Sequence, residues 1–164
     1  MITIKFKTGN HQELNLESLD YIDFSNSQFH AIILEGLSLH KCNFTRANLR
    51  SAELSRCYLD EAIFAGALLM NAHLNNAILT NSDFSFSILS GACLIKTDAR
   101  NANFFQADLF SSNFTGADLR GANLLEAHRI EDATFSEVLY DKKTMWPEGV
   151  YTGKSRIDIY LEWN

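Results

Sequence analysis

The stretch from residue 102 to residue 124 reads ANFFQ-ADLFS-SNFTG-ADLRG-ANL, and it shows the regularity of the chain most clearly. In each group of five the first residue is small, the second is Asn or Asp, and the third is Phe or Leu. We number these places the first to fifth positions of a pentapeptide. The same register runs from Leu14 to Leu124, and Ala99 alone departs from Leu or Phe at the third position. The pattern predicts that first and third positions point into a core.

A period of five residues fits neither an amphipathic helix, with roughly 3.6 residues per turn, nor a flat strand, with about two. The chain must therefore turn at regular intervals. The phenylalanines suggest how many pentapeptides make one circuit, because five of the seven at third positions fall twenty residues apart. We expect their rings to stack in one column, which holds Phe24, Phe44, Phe64, Phe84 and Phe104.

Runs such as Ala47-Asn48-Leu49 and Ala117-Asp118-Leu119 resemble the A(D/N)LXX motif of the pentapeptide-repeat family. The resemblance covers residues 12–126 and implies an all-β fold, a right-handed quadrilateral parallel β-helix of nearly six coils. In that family four pentapeptides make one coil. We number the four faces by their third-position residues: face 1 contains Phe44, face 2 Leu49, face 3 Leu54 and face 4 Leu59.

Both ends differ from the repeats, and open β-helix ends need caps against edge-to-edge association. Residues 1–11 form the expected N-terminal cap, because residues 2–7 alternate apolar and polar side chains as a strand does. Residues 127–164 form the expected C-terminal cap. Within it, Thr134 and Glu137 resemble a helix capping box followed by the apolar residues of a helix face, so we predict a short helical turn there.

The last part of the chain offers two further signals. Residues 144–149 resemble the ending of many pentapeptide-repeat proteins from cyanobacteria. Residues 157–163 alternate in polarity and predict a possible terminal strand. This segment would cover the last coil of a monomer or meet its symmetry mate in a homodimer.

Composition restricts the class of protein. The chain has 164 residues, a net charge of −6 and no long apolar run, so we expect a soluble cytoplasmic protein that binds neither membranes nor nucleic acid directly. Its three cysteines have no metal-ligand spacing. Cys42 and Cys57 occupy first positions and should be buried, whereas Cys93 should face outward with a redox role left open.

No catalytic, cofactor or metal site is expected from the histidines, which are His11, His30, His40, His73 and His128. The coil separates them, and acid–base catalysis needs groups within hydrogen-bond reach. We expect solvated surface histidines instead. Nucleophile elbows and phosphate-binding loops are absent from the sequence. An enzyme is therefore the least favoured function.

Outward positions are mostly polar, with one exception around face 2. Exposed apolar patches often mark contact surfaces. We predict protein-binding residues at Leu68, Met70, Phe86, Ile88, Phe105, Phe110 and Leu125. The alternative is ordinary surface, or surface covered by the C-terminal segment.

Two functions remain open on the sequence. The first is a non-catalytic interaction module or scaffold that presents a rigid face to a protein partner of unknown identity. The second follows from family members that resemble DNA in size and charge, bind type II topoisomerases such as gyrase, and protect against quinolones or toxins. The carboxylates favour this DNA mimicry weakly, because Asp98 and Asp118 are matched by Arg100 and Arg120 on the same face.

Overall fold

A computed structural model describes residues 2–14 and 16–150, with side chains described for residues 4–11 and 16–150. Its regular elements are short: β1 (Ile2–Phe6), β2 (His11–Leu14), β3 (Ile32–Ile33) and a 3-10 helix (Ile130–Asp132). The three strands form one sheet in the order β2-β1-β3. In the described part of the chain, no helix has the length and apolar character needed to cross a bilayer.

Most of the chain is a stack of coils joined by single parallel bridges. The bridges connect second-position residues twenty apart, from Asp23 and Asn43 to Asp108 and His128. Because four pentapeptides separate bridged residues, one circuit has four sides. The predicted stacking of residues at this interval is confirmed.

Backbone hydrogen bonds hold neighbouring coils together. On face 1, the Asn43 N–H donates to the Ile22 carbonyl of the preceding coil at 3.0 Å, and the Phe44 N–H donates to the Ile63 carbonyl of the next at 2.7 Å. Between faces, the Ala47 N–H donates to the Phe44 carbonyl at 2.9 Å and closes a β-turn. Arg46 is the fifth residue of its pentapeptide and the third residue of this turn, and it has φ 56°. This left-handed conformation at the third turn residue is typical of type II turns.

The fourth-position N–H has no partner in this ladder, and the second-position side chain supplies one. Thr45 N–H donates to Asn43 Oδ1 at 3.0 Å, and Leu125 N–H donates to Asn123 Oδ1 at 3.0 Å. Asn and Asp have the short side chain that reaches a backbone N–H two residues on. The preference for Asn or Asp at second positions is therefore explained by this local hydrogen bond.

The core consists of first and third positions, as predicted. The column from Phe24 to Phe104 forms a continuous ladder with ring centroids 4.6–5.2 Å apart and interplanar angles of 7–19°. Buried hydroxyls at first positions donate to a carbonyl three residues earlier, as Ser82 does to Leu79 at 2.6 Å. Burial raises the pKa of both the Cys42 and Cys57 thiols to about 11, and each donates to a backbone carbonyl.

The N-terminal strand is present where it was expected. β1 runs antiparallel to β3, with Lys5 opposite Ile33, and so covers the first edge of face 3. Residues 12–14 were assigned to the repeats, but they lie in β2, which pairs antiparallel with β1. The physical reason is the turn at Gly9, with φ 86°, which returns the chain alongside β1 before the first coil starts.

At the C-terminal end the stacking continues past residue 126 with a shifted register. Asn113 bridges Thr134, twenty-one residues later, and Asn123 bridges Met145, twenty-two residues later. The helical turn predicted from Thr134 and Glu137 is wrong in position, since the 3-10 helix lies earlier, at Ile130–Asp132.

The physical reason for this error is that residues 133–137 form another pentapeptide. Phe135 at its centre stacks on Phe114 with ring centroids 5.1 Å apart. Thr134 N–H donates to the Ser112 carbonyl at 2.9 Å, which is a ladder bond and not a helix cap. The possible terminal strand at residues 157–163 lies outside the described residues.

The phenylalanine ladder predicts a large cost for deleting one ring. Phe64→Ala should lower the free energy of unfolding by about 3–5 kcal/mol, because a fully buried ring is lost and its two stacking neighbours face a cavity. Urea unfolding followed by circular dichroism measures this. Tyr58→Ala, at an exposed position, is the control and should change stability by about 0.5 kcal/mol or less. Equal losses in both variants would show that the buried Phe64 ring stabilises the fold no more than an exposed side chain does.

The side-chain hydrogen bond at second positions can be tested at Asn113, whose Oδ1 accepts from the N–H and the hydroxyl of Thr115 at 2.9 and 2.6 Å. Asn113→Ala should cost about 1–2 kcal/mol in the same unfolding experiment, whereas Asn113→Asp, which keeps the acceptor, should cost much less. If Asn113→Ala and Asn113→Asp were equally destabilised, the hydrogen bond would not explain the residue preference.

Candidate functional site

The predicted protein-binding residues lie on face 2 and along both of its edges: Phe86, Phe105 and Leu125 lie in the turns from face 1 to face 2, and Met70 and Phe110 lie in the turns from face 2 to face 3. We call this surface the apolar corner; it comprises Leu68, Met70, Phe86, Ile88, Phe105, Phe110 and Leu125. Phe86, Phe110 and Leu125 are 56%, 41% and 39% exposed, and the other four are half-buried. Large apolar side chains with this exposure can contact a partner without any change in the fold.

Hydrogen bonds between coils and contacts between rings hold the middle of the apolar corner in place. Phe86 N–H donates to the Phe105 carbonyl at 2.9 Å, and the two rings meet edge to face with centroids 5.7 Å apart. Leu68 and Ile88 are bridge partners on face 2. The surface is therefore preorganised, which lowers the entropy cost of binding.

A charged cluster borders the apolar corner. Arg129 Nε donates to Asp108 Oδ1 at 2.9 Å, Arg129 Nη2 also contacts Asp108 Oδ2, and the guanidinium carbon lies 4.7 Å from the Phe110 ring centroid. Burial opposes ionisation of Asp108, but the hydrogen bonds from Arg129 hold the pKa of that carboxyl below its usual value. An apolar centre with a polar rim is the usual anatomy of a protein interface.

The apolar corner departs from the repeat motif and thereby loses two local hydrogen bonds. Leu68 and Ile88 occupy second positions where Asn or Asp would accept the fourth-position N–H. In the described part of the chain, the N–H groups of Met70 and Ser90 accordingly have no protein acceptor. Sites that break a local rule of the fold are where function is expected.

Apolar residues also replace Asn or Asp at second positions outside the apolar corner, and these were not among the predicted binding residues. Ile63 on face 1 is 40% exposed and is the bridge partner of Asn43 and Asp83. Tyr58 on face 4 is 52% exposed and is the bridge partner of Ile78. The signal that could have found them is the loss of Asn or Asp at second positions 58, 63 and 78.

The thiols lie as expected, with Cys42 and Cys57 buried and Cys93 half-buried. Cys93 is the bridge partner of His73 on face 3. Among the histidines, His11, His30, His73 and His128 are exposed. The expectation of a solvated histidine is wrong for His40, which is half-buried because its ring lies between Tyr21 and Asp60.

Charges at the C-terminal end of face 4 are paired. Arg100 donates from Nε and Nη2 to both carboxylate oxygens of Asp98, at 2.8 and 2.7 Å, and Arg120 binds Asp118 in the same way. The hydrogen bond from Arg100 lowers the pKa of Asp98 from its ordinary value. These carboxylates therefore do not form an uncompensated acidic row.

A model of the family described as pentapeptide repeats matches the chain in eight copies, over residues 22–60, 67–106, 87–124 and 102–138. The chain belongs to the pentapeptide-repeat family. Its fold is accordingly the right-handed quadrilateral β-helix of that family. No curated protein matches the sequence.

The solved structure of one pentapeptide-repeat protein supports this fold. HetL from the cyanobacterium Nostoc sp. strain PCC 7120, a pentapeptide-repeat protein involved in the regulation of heterocyst differentiation, has a TM-score of 0.62 and 22% sequence identity. The match covers 76% of this chain and 66% of HetL, so the chain spans about two thirds of that relative. Another Nostoc PCC 7120 pentapeptide-repeat protein, alr5209, is 28% identical over 65% of this chain and 75% of its own, with a TM-score of 0.43.

QnrB1, a plasmid-mediated fluoroquinolone resistance protein, also matches, with 18% identity over 75% of this chain and 81% of its own. Its TM-score is 0.35, so this likeness carries no functional argument. The family match indicates a repeat protein and no catalytic family.

The lowered pKa of Asp98 predicts that the stability of the folded protein depends on pH. Its pKa is lowered in the folded state, so its contribution is fully present above the unfolded-state pKa of about 3.9 and is lost as the pH falls through the lower folded-state value. The difference in urea midpoint between wild type and Asp98→Asn should be constant from about pH 7 to pH 5 and shrink towards zero near pH 2. A difference that persisted unchanged at the lowest pH would contradict a role for the ionised carboxylate.

Proposed function

We propose that this protein is a non-catalytic interaction module that binds a protein partner through the apolar corner. The observation that carries the proposal is the exposure of Phe86, Phe110 and Leu125 beside half-buried Leu68 and Ile88 on adjoining coils. Contiguous apolar surface of this kind is uncommon on a monomer unless it is used.

The fold supports this function by its rigidity. Each coil is hydrogen-bonded to its neighbours on every face, so the apolar corner keeps its shape whether or not a partner is bound. Preorganised aromatic side chains are typical hot spots of protein interfaces. The cation of Arg129 over the Phe110 ring also gives the rim a polar group for orientation.

The chemistry of the partner follows from the surface. An apolar ridge or amphipathic segment would bury the aromatic side chains. The unpaired N–H groups of Met70 and Ser90, on the same face, would suit carbonyl acceptors of that segment. We therefore propose a partner that presents both apolar side chains and accessible backbone carbonyls.

Mimicry of DNA is the less favoured function. A mimic needs rows of carboxylates that replace the phosphate charges, whereas Asp98, Asp118 and Asp108 are each bound by an arginine. A gyrase supercoiling assay with added protein distinguishes the two functions. Complete indifference of gyrase is the result expected here.

The proposed function is tested by introducing carboxylates into the apolar corner, with a matched control. Leu68→Glu, Ile88→Glu and Phe110→Glu together should abolish capture of a partner from lysate of the source cells, because burying carboxylates against an apolar partner is strongly unfavourable. Tyr58→Glu with Ile78→Glu places carboxylates on face 4, and this control should retain the partner. Thermal unfolding of all three proteins checks that each is folded. A partner that bound wild type and both variants equally would refute the apolar corner as the binding site.

A further inference from the structure

The first coils of face 4 bring three possible metal ligands together. His40 and Asp60 occupy the same fourth-position column in adjacent coils, and Glu61 follows Asp60 at the next corner. Ligand atoms of His40, Asp60 and Glu61 all lie within 4.8 Å of one another. His40 Nδ1 is in direct hydrogen-bonding contact with Asp60 Oδ2, so the imidazole nitrogen already faces the carboxylate.

The histidine is fixed from several sides. The Tyr21 ring packs edge-on against the imidazole, with centroids 5.3 Å apart and an interplanar angle of 85°. The His40 N–H donates to Asp20 Oδ1 at 3.0 Å, and the Lys41 N–H donates to the Asp60 carbonyl at 3.1 Å. These contacts hold the backbone and the ring in place, so little conformational entropy remains to be lost when a ligand binds.

Charge at this cluster is not balanced by the protein. Asp20, Asp60 and Glu61 contribute three carboxylates, and the cation paired with them among the described residues is Lys41, whose Nζ lies 3.1 Å from Glu61 Oε2. At the other end of the same face, Asp98 and Asp118 are each bound by an arginine. With His40 neutral, as a metal-ligating imidazole is, two negative charges are left over, and this is the charge that a divalent cation would neutralise.

We propose that His40, Asp60 and Glu61 form a binding site for one divalent transition-metal ion of the Zn²⁺ type. One imidazole and two carboxylates are a ligand set that zinc accepts, with water completing the coordination. The imidazole selects against Mg²⁺ and Ca²⁺, which prefer oxygen ligands throughout. The ion replaces the hydrogen bond between His40 and Asp60 and ties two adjacent coils together.

This site lies on face 4, which is opposite face 2, and it does not depend on the function proposed for the apolar corner. The spacing of the histidines does not reveal this site, because the co-ligands of His40 are carboxylates of the next coil. The ligands also carry no sequence motif, because His40 and Asp60 are twenty residues apart and meet only through the coil.

Zinc titration tests the proposal. With protein that carries no histidine tag, isothermal titration with ZnCl₂ should show one ion per wild-type chain. His40→Ala and Glu61→Gln should each weaken binding by at least about 100-fold, since even residues behind the ligands cost about 10- to 100-fold. His30→Ala and His73→Ala remove other exposed histidines and should leave the affinity unchanged. Absence of zinc binding by wild type, or equal binding by wild type and His40→Ala, would overturn the proposal.

Two further measurements identify the ligands and guard against unfolding. Zn²⁺ should raise the thermal midpoint of wild type and leave that of Glu61→Gln unchanged, because only the intact site binds the ion in the folded state. Glu61 is exposed, so its substitution leaves the core intact. The Co²⁺ complex should lack sulfur-to-metal charge-transfer absorption. Such absorption, or loss of binding in Cys93→Ser, would place the metal at Cys93 and His73 and would overturn the site at His40.

Discussion

Everything in this structure depends on the hydrogen bonds between coils, which require that residues twenty apart lie one above another. The ladder uses the N–H groups of the second, third and fifth positions, while the first-position N–H closes the turn. Only the fourth-position N–H remains, and Asn or Asp at the second position accepts it. A pentapeptide with Asn or Asp at its second position therefore gives each of its backbone N–H groups an acceptor.

The core of the β-helix could be predicted from sequence because the spacing of the apolar side chains determines which residues are buried. The stacked column from Phe24 to Phe104 follows directly from the spacing of the aromatic residues. The ends could not be predicted as well, since they depend on non-repeating contacts. Thr134 and Glu137 have the spacing of a helix cap, yet the neighbouring Phe135 stacks on Phe114 and residues 133–137 form a further pentapeptide. Residues 12–14 fit the repeat register, but in the folded chain they pair antiparallel with β1.

The two candidate sites also differ in how far they could be predicted from sequence. The residues of the apolar corner could be found from sequence because outward positions are known once the register is known. Ile63 was missed because most residues of its column are polar, and Tyr58 lies on a face that was not compared for apolar residues, although each breaks the motif at a second position. The cluster at His40 could not be found from spacing between histidines, because its members are of different residue types on consecutive coils. Side-chain direction, with Tyr21 against one side of the ring and Asp60 against the other, is information that only coordinates supply.

The 3-10 turn at Ile130–Asp132 shows how this architecture accommodates insertions. One extra residue is inserted between faces 2 and 3, where Arg129 adopts φ 55°. The next aromatic ring, that of Phe135, still stacks on Phe114. A corner can therefore lengthen without disturbing what is stacked above or below it, whereas an insertion within a face would displace every later side chain. Evolution of new loops, and grafting of foreign peptides by design, should accordingly succeed at corners of this scaffold and fail along its sides.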